Sequence, residues 1–257
     1  MERRLYTARL ARKLLLSDPQ QCYHLEFTIE DLDDFPFESG QFVSMVAPDQ
    51  KGKQQTRAYS IASAQRSNHF DLCVNRVQGG FFSNLLCDLE QGQTVKFHGP
   101  HGHFVLRSPL TQSIFIATGT GVAPMRSFVQ RLFPESGEDR SEGRSIWLVY
   151  GTRHETELYY RSYFEKVAAE RPNFHYLTTL SRADQTWTGS RGYVQDLVAR
   201  IVEQNPCCAP QPEPPKEGAT FGAYAYICGL NEMVAANRER LTSLGWHRKQ
   251  VIFERYD

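Results

Sequence analysis

A chain of 257 residues that is 40% hydrophobic and 23% charged has enough apolar side chain for one large core or two modest ones. Lys plus Arg and Asp plus Glu number 29 each, so no net field draws the whole molecule to nucleic acid or to an anionic membrane. No apolar run reaches the ~20 residues of a spanning helix, and the stretch after Met1-Glu2-Arg3-Arg4 is interrupted by Arg9, Arg12 and Lys13, unlike a secretion signal, so the expected compartment is cytoplasmic.

Up to about Arg107 the sequence reads as short strands between Gly, Pro and Asp turns: Tyr23 to Ile29, Phe42 to Val46, Ala58 to Ala62, Phe70 to Val77 and Thr94 to His98. Phe70, Leu72 and Val74 alternate with Asp71, Cys73 and Asn75, the period of a half-buried strand. Only Phe81 to Leu89 looks helical in this half. The pattern predicts an antiparallel β-barrel domain with one helix over residues 1–108.

Beyond it, strands alternate with helices. Ser113 to Thr118, Ser145 to Tyr150, Phe174 to Leu180, Ala223 to Cys228 and Gln250 to Phe253 are predicted strands. Ile114-Phe115-Ile116-Ala117 and Ile146-Trp147-Leu148-Val149 are continuous apolar runs, as in parallel strands covered on both faces. Helices are predicted over Val122–Phe133, Glu155–Ala169, Tyr193–Glu203 and Leu230–Leu244, giving a doubly wound parallel-sheet α/β domain over 109–257. The polar segment Pro134 to Gly143 reads as a loop, and so does Asn205 to Gly218, whose five prolines argue against regular structure.

Six cysteines at 22, 73, 87, 207, 208 and 228 show neither C-x-x-C pairing nor the plant-type iron–sulfur spacing, so reduced thiols and no cluster are expected.

Three segments of the first half carry chemistry. In Arg57-Ala58-Tyr59-Ser60 the Arg suits a diphosphate, the Tyr a planar heterocycle and the Ser hydroxyl a ring nitrogen; alone, the run is also an ordinary amphipathic strand. Gly79-Gly80-Phe81-Phe82-Ser83 opens the helix, where backbone N–H groups favour an anion, and Ser83 either adds a hydroxyl or caps the helix. Gly99-Pro100-His101-Gly102-His103-Phe104 specifies a tight turn; His101 and His103 have no evident third ligand for a metal.

In this order the three segments resemble the flavin domain of the ferredoxin–NADP reductase superfamily. The resemblance implies that Tyr59 stacks on the isoalloxazine, Ser60 reaches its N5 edge, and Arg57 with the helix start at Gly80–Ser83 holds the pyrophosphate. FAD is the superfamily's usual cofactor, and some relatives bind FMN.

In the second half, the strand ending at Thr118 runs into Gly119-Thr120-Gly121-Val122-Ala123-Pro124, a Gly-x-Gly turn that opens a helix and makes a dinucleotide site. Pro124 stands where the generic fingerprint has its third glycine, and Gly-Thr-Gly-x-Ala-Pro is the version this superfamily uses. Tyr150-Gly151-Thr152-Arg153, Ser181-Arg182 and Cys228-Gly229 with Met233 follow the next strand ends. Arg182, assisted by Arg191, suits a 2′-phosphate, and no acidic residue stands at that strand end to read a 2′-hydroxyl, which favours NADP over NAD.

Cys228 reads either as an inert buried thiol or, by the resemblance, as the residue beside the nicotinamide. The ending Phe253-Glu254-Arg255-Tyr256-Asp257 is similar to plant-type reductases, which implies that Tyr256 covers the flavin face and Glu254 assists proton transfer; here Asp257 follows the Tyr.

The implied activity is electron transfer between NADP(H) and a separate one-electron carrier, a ferredoxin or flavodoxin, with Ser60, Cys228, Glu254 and Tyr256 at the reacting junction. A flavin reductase that releases free reduced flavin, the reductase component of an oxygenase, and a redox-inactive binding module on the same fold are the competing readings.

Overall fold

The computed structural model describes residues 4–49, 51–211, 213, 215, 216 and 219–256. The chain divides into two compact units, one of residues up to Val105 with Arg126–Arg131, the other of Leu106–Met125 with the rest from Leu132.

The first unit is a six-stranded antiparallel sheet built from β1 (Tyr6–Ser17), β2 (Cys22–Ile29), β3 (Phe42–Pro48), β4 (Gln54–Ser60), β5 (His69–Asn75) and β6 (Thr94–His101). The spatial order is β4-β3-β6-β1-β2-β5. A bridge between Ile61 and Leu72, with Ala62 N–H donating to Asp71 O at 2.8 Å, ties the two ends and closes the sheet toward a barrel. Closure satisfies the edge groups that an open sheet would leave exposed. Helix α1 (Phe81–Asp88) lies between β5 and β6 in the chain. The core is aromatic: Phe35 meets Phe97 edge to face at 5.6 Å, and Phe27 stacks on Phe70 at 5.3 Å. Burying each such ring contributes roughly 1.5–3 kcal/mol.

The second unit is a six-stranded sheet whose neighbours all run parallel, in the order β10-β9-β8-β7-β11-β12. Its strands are β7 (Gln112–Thr118), β8 (Ile146–Thr152), β9 (Phe174–Leu180), β10 (Ser190–Arg191), β11 (Ala223–Leu230) and β12 (Val251–Tyr256). The helices are α2 (Val122–Leu132), α3 (Arg161–Glu170), α4 (Val194–Gln204) and α5 (Asn231–Ser243). All seven residues of β8 are buried, as its uninterrupted apolar sequence requires. The chain steps outward from β7 to β8 and β9, then returns to place β11 on the other side of β7, so the strand order reverses between β7 and β11. In such sheets ligands bind beyond the carboxyl ends of the strands at this reversal.

The structure departs from the sequence expectation at several points. The twelve-residue β1 is not among the predicted strands: its exposed positions include Arg9 and Arg12, which mask the inward Ala8 and Leu10. Strand β4 lies at Gln54–Ser60 rather than Ala58 to Ala62. Asp71 and Cys73 of β5 are buried as well as Phe70, Leu72 and Val74, so that strand is covered on both faces rather than one. On the covered second face, Asp71 Oδ2 meets Arg126 Nη1 at 3.1 Å and lies 3.6 Å from His24 Nε2. The helix expected over Glu155–Ala169 is a 3₁₀ turn at Glu155–Glu157 and then α3, separated by Tyr160 in the left-handed region at φ 59°.

Among the described residues of the Pro-rich segment there is a 3₁₀ turn at Pro206–Cys208 with proline in its first turn, where a missing N–H costs nothing. Pro212, Pro214, Glu217 and Gly218 of that segment, and Asp257, lie outside the described residues.

Candidate functional site

In the first unit, β4 pairs with β3, setting Tyr59 opposite Val43 and Ser60 opposite Phe42. Arg57 and Ala58 are exposed, Tyr59 is half-buried against the barrel core, and Ser60 is buried. Burial pushes the Tyr59 hydroxyl above its ordinary pKa, against the opposing pull of the nearby Arg57 cation. The phenol is therefore neutral at physiological pH, presenting an uncharged ring and an O–H donor.

The segment before α1 is shaped by two glycines for different reasons. Gly79 has φ +72°, in the left-handed region, where a side chain is strained. A Cβ on Gly80 would lie 2.5 Å from Ser83 Oγ. Ser83 does not cap the helix: its Oγ accepts from Val77 N–H at 3.1 Å and closes the preceding turn. Asn84 reinforces the same turn, Nδ2 donating to Gly80 O at 2.6 Å, and Arg76 holds Asn84 Oδ1 at 2.9 Å. With no side-chain cap and no acidic residue in its first turn, the start of α1 at Phe81 and Phe82 keeps the positive end of its dipole for an anion. In the third segment His101 Nε2 sits 2.7 Å from Nδ1 of His98, and His103 is exposed. Among the described residues no three His, Cys, Asp or Glu side chains converge as a metal site.

In the second unit, Gly119–Gly121 forms a 3₁₀ turn between β7 and α2. Thr118 precedes it in extended conformation with no side-chain cap, and α2 has no acidic residue in its first turn. Gly119 has φ +53°, and a Cβ there would meet nothing within 4 Å, so its surroundings are open. Gly121 is the opposite case: a Cβ would fall 2.2 Å from Cys228 O. The two loops that flank the strand reversal therefore touch backbone to backbone. Gly229 is equally enclosed, its Cβ position 2.5 Å from Met233 Cε and 2.6 Å from Thr118 Oγ1. The Tyr150 hydroxyl lies 3.0 Å from Gly119 O and 3.1 Å from Glu157 O and holds the turn in place.

Parallel pairing of β11 and β12 places Cys228 opposite Glu254 and Leu230 opposite Tyr256. Cys228 is fully buried, and Glu254 and Tyr256 are half-buried. Burial pushes the Cys228 thiol well above its ordinary pKa, the Glu254 charge adds to this, and a hydrogen bond with Tyr256 acts in the other direction. Cys228 is thus a neutral thiol, a packing and positioning group rather than a nucleophile. Three of the four residues assigned to the reacting junction, Cys228, Glu254 and Tyr256, share one corner of this sheet.

Ser181 and Arg182 continue the β8–β9 ladder, their N–H groups donating to Thr152 O and Arg153 O at 2.9 Å each. Arg153 and Arg182 are exposed cations. The Arg191 guanidinium is turned to the backbone carbonyls of Ala183, Asp184 and Trp187.

These donor sets fit two diphosphate-bearing cofactors. The first unit offers an uncapped helix start, an arginine and an aromatic ring, which suit a flavin dinucleotide. The second offers an open glycine turn and exposed arginines, which suit a nicotinamide dinucleotide.

Comparison with known proteins agrees. Residues 7–106 match the oxidoreductase FAD-binding domain family and residues 115–239 the oxidoreductase NAD-binding domain family. The chain is 39% identical over 237 residues to ferredoxin–NADP reductase B of Sorangium cellulosum, covering 91% of each. It is 33% identical to the chloroplastic leaf isozyme 1 of ferredoxin–NADP reductase from Oryza sativa subsp. indica, covering 88% of this chain and 65% of that protein. A ferredoxin–NADP+ reductase from Neisseria gonorrhoeae, solved with bound FAD and NADP, superposes over 99% of each chain with a TM-score of 0.78 at 21% identity, a likeness of fold. No helix among the described residues is long and apolar enough to cross a membrane. With 91% of its length matched at 39% identity, the chain belongs to the ferredoxin–NADP reductase family.

Proposed function

We propose that this protein moves electrons between NADP(H) and a one-electron protein carrier, a ferredoxin or flavodoxin, in the cytoplasm, with FAD as its resident cofactor. The observation that carries the reading is the matched pair of anion sites. Each unit presents a glycine-framed helix start with no acidic residue in its first turn, one in the unit of Arg57 and Tyr59, the other at the strand reversal of a parallel sheet. Bound flavin supplies the means to exchange a hydride with a nicotinamide and to pass electrons on singly.

The protein's own residues bind and orient. Arg57 and the amides from Gly80 to Ser83 hold the flavin diphosphate, with Gly79 giving the chain its left-handed turn into that segment. The neutral Tyr59 ring covers one flavin face, and Ser60 hydrogen-bonds the ring edge. Thr118 to Gly121 take the nicotinamide dinucleotide's diphosphate, and Arg153, Ser181 and Arg182 take the adenosine end. Gly229 and Met233 set the wall beside Cys228, whose neutral thiol adds no charge where hydride transfer needs a dry, uncharged contact. Glu254 is the carboxylate at that corner able to hold or release a proton, and Tyr256 screens it from water.

The test is an anaerobic absorbance titration of the purified protein with NADPH and, separately, NADH, followed by addition of oxidised ferredoxin. Bleaching of a flavin spectrum by NADPH at far lower concentration than by NADH, with electrons passed to ferredoxin, is the expected result. Tyr59→Ala should lose most of its flavin on gel filtration, and Ser60→Ala should keep flavin but slow its reduction. A protein that neither carries nor can be reconstituted with flavin would overturn the reading.

A further inference from the structure

Two of the six cysteines meet within the first unit. Along β2, Leu25, Phe27 and Ile29 enter the barrel core, so Cys22, His24 and Glu26 turn to the other face. Along β5, Phe70, Leu72 and Val74 enter the core, and Asp71 and Cys73 turn away from it. The register sets Cys22 opposite Asn75 and Cys73 opposite His24, which makes the two cysteines diagonal neighbours on that second face. Their Sγ atoms lie 3.7 Å apart, with Cys22 fully buried and Cys73 only 5% exposed. Cys87 belongs to the core on the opposite face, its Sγ 3.9 Å from Val74 O.

A disulfide holds its sulfurs about 2.05 Å apart, so this pair has roughly 1.6 Å to close. Diagonal strand neighbours sit a little wide for the bond, and the backbone must give. Cys22 stands where it can. It is the first residue of β2 and follows Gln21, which is in the left-handed region at φ 46°. Gln21 N–H closes the preceding turn onto Asp18 O at 3.0 Å, and the β1–β2 ladder shifts register beside it, between Leu15 and Ser17. A turn next to a bulge yields more easily than the middle of a ladder.

Movement of that turn reaches the segment before α1. Gln21 O accepts from Arg76 N–H at 3.1 Å. The Arg76 guanidinium donates to Asn84 Oδ1 at 2.9 Å and Asp88 Oδ1 at 2.7 Å, and Asn84 Nδ2 donates to Gly80 O at 2.6 Å. A contiguous run of hydrogen bonds thus leads from the residue beside Cys22 to the amides of Gly80 to Ser83.

We propose that Cys22 and Cys73 are a dithiol that a small hydroperoxide oxidises reversibly to a disulfide, and that closing the disulfide weakens the hold on the flavin diphosphate. The second half rests on the flavin reading above; the first stands without it. Hydrogen peroxide suits the site because it is small and uncharged, whereas a bulky disulfide oxidant does not reach a sulfur that is 5% exposed. The Cys73 sulfur, the more exposed of the two, attacks one peroxide oxygen: an S–O bond forms, the O–O bond breaks, and the Cys73 proton leaves with the departing hydroxide as water. The Cys22 sulfur then attacks the Cys73 sulfur: the S–S bond forms, the S–O bond breaks, and the Cys22 proton leaves with that hydroxide as a second water. Two thiols are oxidised and the peroxide is reduced; a dithiol reductant restores the pair.

The test treats the folded full chain with hydrogen peroxide, alkylates the remaining thiols in urea and maps unreduced peptides by mass spectrometry. A linked peptide pair joining Cys22 to Cys73, lost on treatment with dithiothreitol, is the expected result, and Cys87→Ser should give the same map. In Cys22→Ser, peroxide should leave Cys73 as a sulfenic acid that dimedone labels. Absence of the linked pair, or its replacement by a link to Cys87, would overturn the site. Fluorescence titration of the apoprotein should show oxidised wild type binding FAD about five-fold more weakly than reduced, the low end of couplings between sites. Dithiothreitol should restore the affinity, and peroxide should leave that of Cys22→Ser unchanged. A disulfide that forms without altering FAD affinity overturns the coupling alone. Reduced protein that binds no flavin overturns the flavin reading, while the peptide map still decides the disulfide.

Discussion

Gly121 stands so close to Cys228 that a Cβ on it would lie 2.2 Å from the Cys228 carbonyl oxygen and 2.6 Å from its carbon. The carbonyl belongs to β11 at the strand reversal, so it cannot step aside as the end of a flexible side chain would. Close packing of these two loops is what forms the wall at the carboxyl ends of β7 and β11.

Gly121→Ala should therefore destabilise the protein by about 2 kcal/mol or more, the range for a clash that the backbone must absorb. Gly119→Ala, two residues earlier, meets open space and carries only the cost of its left-handed backbone, about 1 kcal/mol. Urea denaturation of the two variants should show Gly121→Ala unfolding at clearly lower denaturant. Equal midpoints would mean that the loops separate more easily than this contact implies.

The thiols should separate sharply in reactivity. Cys207 is exposed, whereas Cys22, Cys73, Cys87, Cys208 and Cys228 are buried. Burial pushes the thiols of Cys87, to about 11, and of Cys228 upward, so both are protonated at mild pH. Iodoacetamide on the native protein at mildly alkaline pH should label Cys207 first, with Cys228 labelled only on unfolding. Peptide mapping by mass spectrometry that found Cys228 modified as fast as Cys207 would contradict the buried, neutral thiol.

Stability should fall in mild acid through His24. Burial, reinforced by the Arg126 cation, lowers its pKa from 6.5 to about 4 in the folded protein. The unfolded chain then binds a proton that the folded one refuses between these values, so stability rises with pH across that window and is lost as pH falls from 6.5 toward 4. The loss is on the order of 1–3 kcal/mol. His24→Gln should flatten this part of the profile in urea midpoints measured against pH. A wild-type profile already flat there would show that His24 is not held neutral.

Much of this protein was legible in residue order. Apolar runs such as Ile114-Phe115-Ile116-Ala117 suit a strand covered on both faces, as in a parallel sheet, and the glycine turn after them follows from the same strand end. Local chemistry also accounts for Gly79, because its left-handed backbone at the turn before α1 favours glycine. Strand β1 was hidden because its exposed arginines satisfy no pattern that a short window detects, and its pairing with β2 and β6 is a long-range matter. Asp71 looked like the solvent side of a strand because nothing nearby in sequence announces Arg126, which lies 55 residues on.

Side-chain assignments divide in the same way. Residue type alone made Ser83 and Arg191 suitable phosphate donors. In the structure the Ser83 hydroxyl accepts from Val77 N–H, and the Arg191 fork donates to three carbonyls of its own loop. A hydrogen-bonding group commits to the partners that folding brings within about 3 Å, and those partners are set by loop geometry that no spacing of residue types encodes. Cys228 shows the converse: its type left an inert thiol and a site residue equally open, and its register opposite Glu254, with burial on every side, is what makes it a neutral member of that corner.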